Sequence, residues 1–77
     1  MKKEAYCVDI SYYDKEIDKY ITYETTEYFD NLEDAKENYE GLELEDNECK
    51  ELIGFIIDEN GDFDCFETIE FKEKRTI

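Results

Sequence analysis

Histidine and proline are absent from this chain, serine occurs once, at Ser11, and there are only three glycines. Without histidine, neither the lone serine nor a thiol has a base beside it to make a nucleophile, and no glycine-rich loop is present to cradle a phosphate. Paired carboxylates alone could serve glycoside chemistry, but they need a deep cleft in a larger scaffold than 77 residues provide. The cysteines, Cys7, Cys49 and Cys65, are odd in number and lack CxxC spacing, which suits reduced thiols. The acids around them should suppress thiolate formation, and Cys65 is expected in the core, although an exposed thiol could still form an adventitious disulfide dimer. No apolar run approaches the length of a membrane span, and Met1-Lys2-Lys3 is followed at once by Glu4 rather than by the apolar core of a secretory leader. The expectation is a cytoplasmic, non-enzymatic protein without a cofactor.

Bases are the other scarcity. Nine Lys and Arg stand against 24 Asp and Glu, a net charge of -15. Carboxylates at this density repel one another and penalise the compact state. Nucleic acid, anionic membrane and acidic substrates are therefore excluded as direct partners, and a basic protein surface is the natural one. Acidity of this order also raises the question of disorder, but 12 residues are Phe or Tyr and fall in alternating patterns, which argues for a fold. At this length it is a single domain, 1–77, close to the lower limit for one core without disulfide or metal support.

The pattern along the chain is β-β-α-β-β. Residues 4–13 alternate, with Tyr6, Val8, Ile10 and Tyr12 on one face, as in a half-buried strand. Residues 20–29 are rich in β-branched and aromatic side chains and make a second strand, hairpinned to the first through Asp14–Lys19. Its phase is broken by Glu27, so its end is expected at an edge or bent. Leu32, Ala35, Tyr39 and Leu42 share a stripe at helical spacing, with Glu33, Glu37 and Glu40 opposite, so a helix is expected over 32–40. Asn31 is its N-cap, Asp34 forms a weak capping box, and Gly41 is placed to end it in the left-handed region. Leu42–Lys50 is an acidic connector, and strands follow over 51–58 and 63–71, leaving 72–77 as a frayed tail. The fold class is therefore α+β: a four-stranded antiparallel sheet with one helix packed on one face. The other sheet face is expected to be polar, aromatic and acidic. Tyr6, Tyr12, Tyr23 and Tyr39 are assigned to the core, and Tyr13, Tyr20 and Tyr28 to exposed contacts.

Asp58–Asp62 admits two turns. A two-residue Asn60-Gly61 loop pairs Phe55 with Phe66. A three-residue loop closed by Gly61 as a bulge pairs Ile57 with Phe63 and Phe55 with Cys65. The second gathers Ile53, Phe55, Ile57, Phe63, Cys65, Ile69 and Phe71 on one face, so the bulged turn is the expectation. The same segment has a superficial likeness to a calcium loop, but Gly61 is fourth from Asp58 rather than sixth and Glu70 is thirteenth rather than twelfth. No metal site is expected.

Charge is distributed unevenly. Tyr20 to Cys49 holds 11 acids and one base, Lys36, and Glu51 to Phe71 holds seven acids and no base. On a helix, Glu33 and Glu37 stand about 6 Å apart along the axis, the same order as the ~3.4 Å axial phosphate spacing of a nucleic-acid strand. A rigid domain carrying such an array could occupy a groove that normally holds DNA or RNA. The acid run Asp30, Glu33, Asp34, Glu37, Glu40, Glu43, Glu45, Asp46 and Glu48, with aromatics in the sheet, resembles the small acidic anti-defence proteins of phages and mobile elements, among them anti-CRISPR proteins and other DNA mimics. The resemblance is one of size, charge and mixed build, without a family motif. It implies inhibition by tight binding at a nucleic-acid groove of a nuclease or CRISPR effector, in the host cytoplasm. The candidate partner-binding residues are those nine acids with Tyr28, acting as a monomer or homodimer. Two rival readings are an immunity or antitoxin protein for a basic toxin nuclease, and a small module that pairs through a sheet edge.

Overall fold

The computed structural model describes residues 3–76, and for residues 64–66 the backbone alone. Four strands, β1 (Lys3–Asp14), β2 (Lys19–Thr25), β3 (Glu48–Ile57) and β4 (Phe63–Lys74), form one antiparallel sheet in the order β2-β1-β3-β4, with a single helix, α1 (Leu32–Gly41), between β2 and β3 in the chain. The α+β architecture read from the sequence is the one observed. Its principal extents, 45 × 26 × 16 Å, leave room for the helix on one side of the sheet and no third layer.

The helix is positioned by the stripe that alternates with its acids. Ala35 and Tyr39 are buried against Val8 of β1 and Leu52 of β3, and Tyr6, Phe29, Leu32, Leu42 and Ile69 close the margin of this core. Val8 and Leu52 stand directly opposite each other, so the two central strands contribute one pair to the centre of the core. Gly54 sits across from Tyr6 in the same register, and a Cβ there would lie 3.0 Å from Ile69 Cδ1 and 3.4 Å from the Tyr6 ring. Asn31 caps the helix as expected, its Oδ1 accepting from the Asp34 N–H at 2.8 Å, while the Asp34 carboxylate accepts from Asn31 Nδ2 at 3.0 Å.

The other end of the helix differs from expectation. Gly41 is its last helical residue and is not in the left-handed region; the chain leaves through Leu42 in an extended conformation, its N–H donating to the Tyr39 carbonyl. The orphan carbonyls are met from the sheet. Lys50, only 5% exposed, donates from Nζ to the carbonyls of Tyr39 and Leu42 and lies 4.4 Å from the centre of the Tyr39 ring. An ammonium at the negative end of a helix satisfies acceptors that no basic residue in the last turn supplies. Burial and the nearby Lys72 lower the Lys50 pKa.

Strand limits move where tertiary pairing overrides local composition. β2 stops at Thr25 instead of 29. Beyond it, Thr26 exchanges backbone and hydroxyl bonds with Val8, and Phe29 forms an isolated bridge with Tyr6. β3 begins at Glu48 rather than 51, and β4 runs to Lys74 where fraying from 72 was expected, because Glu48, Cys49 and Lys50 pair with Lys74, Glu73 and Lys72. Beyond the strand, Arg75 and Thr76 are held as well: Thr76 N–H donates to Asn47 Oδ1 at 3.0 Å.

The β3–β4 register corrects the sequence reading. The loop closes as a bulged turn, with Gly61 at φ +83°, Gly61 N–H donating to the Asp58 carbonyl, and Ile57 opposite Phe63. A second bulge at Asp64 then shifts the pairing, so that Phe55 faces Phe66 rather than Cys65. A third, at Ile69, sends Ile69 to the helix side while Thr68 and Phe71 stay opposite Ile53 and Glu51. The set expected on a single face is thereby divided, and Leu52 rather than Ile53, Phe55 and Ile57 faces the helix. Tyr12 and Tyr23 are also exposed rather than in the core, since the helix does not extend over their end of the sheet. The side chain of Cys65 lies outside the described residues.

Candidate partner-binding surface

The two turns of α1 that seal the core through Ala35 and Tyr39 necessarily turn Glu33, Glu37 and Glu40 to solvent, and all three are exposed. The chain then runs through Glu43 and Glu45, also exposed, before it enters β3. Among the described residues, none of these five carboxylates makes an ion pair. The remaining acids of the run are committed to the fold. Asp30 pairs with Lys3 Nζ at 3.1 Å, Asp46 with Lys74 Nζ at 3.6 Å, and Asp34 with the Asn31 side chain. Glu48 is half-buried; it accepts from the Tyr23 hydroxyl and, at 2.7 Å, from the Glu45 N–H. Hydrogen bonding to Glu48 pushes the Tyr23 phenol up to about 12.

The acidic surface has a boundary. Glu40 and Glu43 face Lys72 and Lys74 across a groove of about 430 Å³ between the connector and the end of β4. Negative charge therefore runs along the outer face of α1 and the connector and is met by ammonium groups where β4 begins to cover it.

Tyr28 does not join this surface. Phe29 turns toward the helix-side core, and Tyr28, 54% exposed, goes to the opposite side of the sheet, where its ring lies 5.7 Å from Phe55 and 5.4 Å from Phe63. That opposite face is the one Ala5, Cys7, Asp9, Ser11 and Tyr13 share on β1. At its far end Tyr20 makes ring contacts with Tyr13 and Phe71, and its hydroxyl crosses two strands to Glu73, which raises the phenol to about 12. Arg75 lies 4.2 Å over the Tyr13 ring and 4.0 Å from the Asp18 carboxylate. Between the two aromatic groups, Asp9 and Glu51 face one another across β1 and β3. The polar, aromatic and acidic character of this face was expected from the sequence, but the residues that meet on it were not named, although the alternation that puts Val8 inside also puts Cys7 and Asp9 on the reverse face.

The geometry offers binding surfaces more readily than reactive groups. Cys7 and Cys49 are buried; burial, with Asp9 and Glu51 adding to it, pushes the Cys7 thiol up to about 11, and burial raises that of Cys49. Both thiols are thus held protonated at neutral pH. In the Asp58–Asp62 loop, Asp58 Oδ1 accepts from the N–H groups of Asn60 at 2.9 Å and Asp62 at 3.0 Å, so this carboxylate oxygen is spent on the turn. No described helix is long and apolar enough to cross a membrane. No protein-family model matches the chain, and neither a curated protein nor a solved structure matches it.

Proposed function

We propose that the chain is a non-enzymatic protein inhibitor of a nucleic-acid-binding host-defence system, of the anti-CRISPR kind. In this reading the outer face of α1 and the connector stand in for a phosphate backbone against the basic groove of a nuclease or CRISPR effector. One observation carries it: Glu33, Glu37 and Glu40 on α1, and Glu43 and Glu45 on the connector that follows it, are exposed and without ion-pair partners among the described residues. Carboxylates left unneutralised in a molecule of charge -15 cost stability, and a basic partner would recover that cost on binding. Asp30, Asp34, Asp46 and Glu48, whose carboxylates already have partners, contribute to the field more than to direct contacts.

Affinity capture from a bacterial lysate on the immobilised chain tests this reading, with short duplex DNA as eluent and the E33K/E37K/E40K variant as control. A single nuclease or effector complex that DNA releases, and that the variant fails to capture, is the expected result. A specific partner retained equally by the folded variant would remove this face from the interface. A salt-labile smear of basic proteins would reduce the acids to solvation.

A further inference from the structure

We propose that the uncovered face of the sheet is a second docking surface, which takes an extended, arginine-bearing segment of another protein. The face has the composition of an interface rather than of a solvated wall. Tyr28, Phe63 and Phe71 are each half or more exposed, and Tyr28, Phe55 and Phe63 form one cluster with centroids 4.9 to 5.7 Å apart. Aromatic side chains grouped and left in water are the usual anchors of a protein contact.

The charge beside them identifies the occupant. Asp9 and Glu51 are directly opposite on neighbouring strands, where like charges stand about 5 Å apart and destabilise the sheet. Each is steadied by a threonine from the flanking strand: Thr25 Oγ1 donates to Asp9 at 2.7 Å, and the Thr68 hydroxyl donates to Glu51. These bonds fix the carboxylates without neutralising them, and among the described residues neither has a Lys or Arg partner. A guanidinium is the complement to such a pair, since its planar fork can serve two carboxylates and its flat faces stack on aromatic rings. The chain makes this contact once itself, at the end of the same face, where Arg75 covers Tyr13 and reaches Asp18.

The spacing adds a length. Phe55 and Glu51 are four residues apart on β3, about 13 Å along the strand. An extended ligand with an apolar side chain and an arginine four residues apart would reach both the aromatic cluster and the carboxylate pair. A second copy of this chain fits poorly, because a two-fold contact would bring each Asp9–Glu51 pair, on a molecule of charge -15, toward its own duplicate.

The test is an NMR titration of the intact chain with a capped peptide carrying leucine and arginine four residues apart, beside the same peptide with citrulline for arginine. Three variants whose folding is checked by circular dichroism accompany it: D9N/E51Q, Y28S/F63S and E33Q/E37Q/E40Q. Shifts should concentrate at Asp9, Glu51, Tyr28 and Phe63, and citrulline should abolish them. The first two variants should weaken binding tenfold or more, and the helix variant by less than twofold. This contact is independent of the helix surface, so loss of one leaves the other standing. Equal weakening in all three variants, or unchanged binding by folded Y28S/F63S, would overturn the proposal. So would concentration-dependent broadening of Tyr28 and Phe63 without peptide, which would give the face to a second copy.

Discussion

On the helix side of the sheet, Val8 and Leu52 are fully buried beneath a second layer. On the other side Cys7, Cys49 and Ile53 are at most 4% exposed with no second layer above them. The first face is sealed by an element that crosses it, the second by its own tall neighbours: Tyr20 reaching over β1 and β3 to Glu73, and the ring cluster around Phe55. Covering a face with aromatic side chains buries the backbone and the small residues but leaves the rings themselves half in water. A small chain can thus be stable on one face and available for contact on the other.

That contrast can be broken most severely at Leu52. L52A leaves a void where both central strands meet the helix and should cost about 2–5 kcal/mol in urea denaturation. K50M should follow at about 1–3 kcal/mol, because the Tyr39 and Leu42 carbonyls lose their donor. Faster amide exchange confined to the last turn of α1 would identify that cause. N31A, at the other end of the helix, should cost about 1 kcal/mol through the lost cap. F63S on the uncovered face should change stability by only about 0.5 kcal/mol or less, and a cost as large as that of L52A would show this face to be core rather than surface.

Titration sharpens the same comparison. Cys7 ionises at the ordinary thiol value of 9.0 when unfolded and at about 11 when folded, so above pH 9 the unfolded chain holds fewer protons than the folded one. Stability should therefore fall as pH rises from 9 to about 11. The phenols of Tyr20 and Tyr23 act in the same direction from 10 to about 12. Burial of Cys49 acts in the same direction, so a folded C7A variant should lose part, and not all, of the decline that starts at 9, as read from thermal unfolding across that range.

Much of this was legible in the chain. The helical stripe of Leu32, Ala35, Tyr39 and Leu42 reflects a single burial partner, so its face could be read directly. Alternation in 4–13 placed Val8 and Ile10 correctly but suggested a half-buried strand, whereas Ala5, Cys7 and Ser11 on the reverse face are buried as well. The β3–β4 hairpin could not be read to its end, because bulges at Asp64 and Ile69 reverse the phase of β4 and leave no mark in a pattern of period two. Lys50 was hidden for another reason: it looks like one more charge in an acidic connector. A helix with no base in its last turn, followed by a lysine in phase with Leu52, was the available signal. The acids were easy to count, but their division into committed and unpaired groups depends on where Lys3, Lys74 and Asn31 arrive from distant parts of the chain.

The strand order β2-β1-β3-β4 also sets a sequence of events in time. Each half of the sheet is a hairpin closed by a short turn, so β1–β2 and β3–β4 can zip without waiting for the rest of the chain. The seam between β1 and β3 joins residues as far apart as Lys3 and Ile57, and loop-closure entropy makes this the late and expensive contact. Docking of the two hairpins, with α1 folding over Val8 and Leu52 as they meet, is the expected barrier. In refolding experiments, conservative truncations along that seam should slow the folding rate, while those at the hairpin ends should chiefly hasten unfolding.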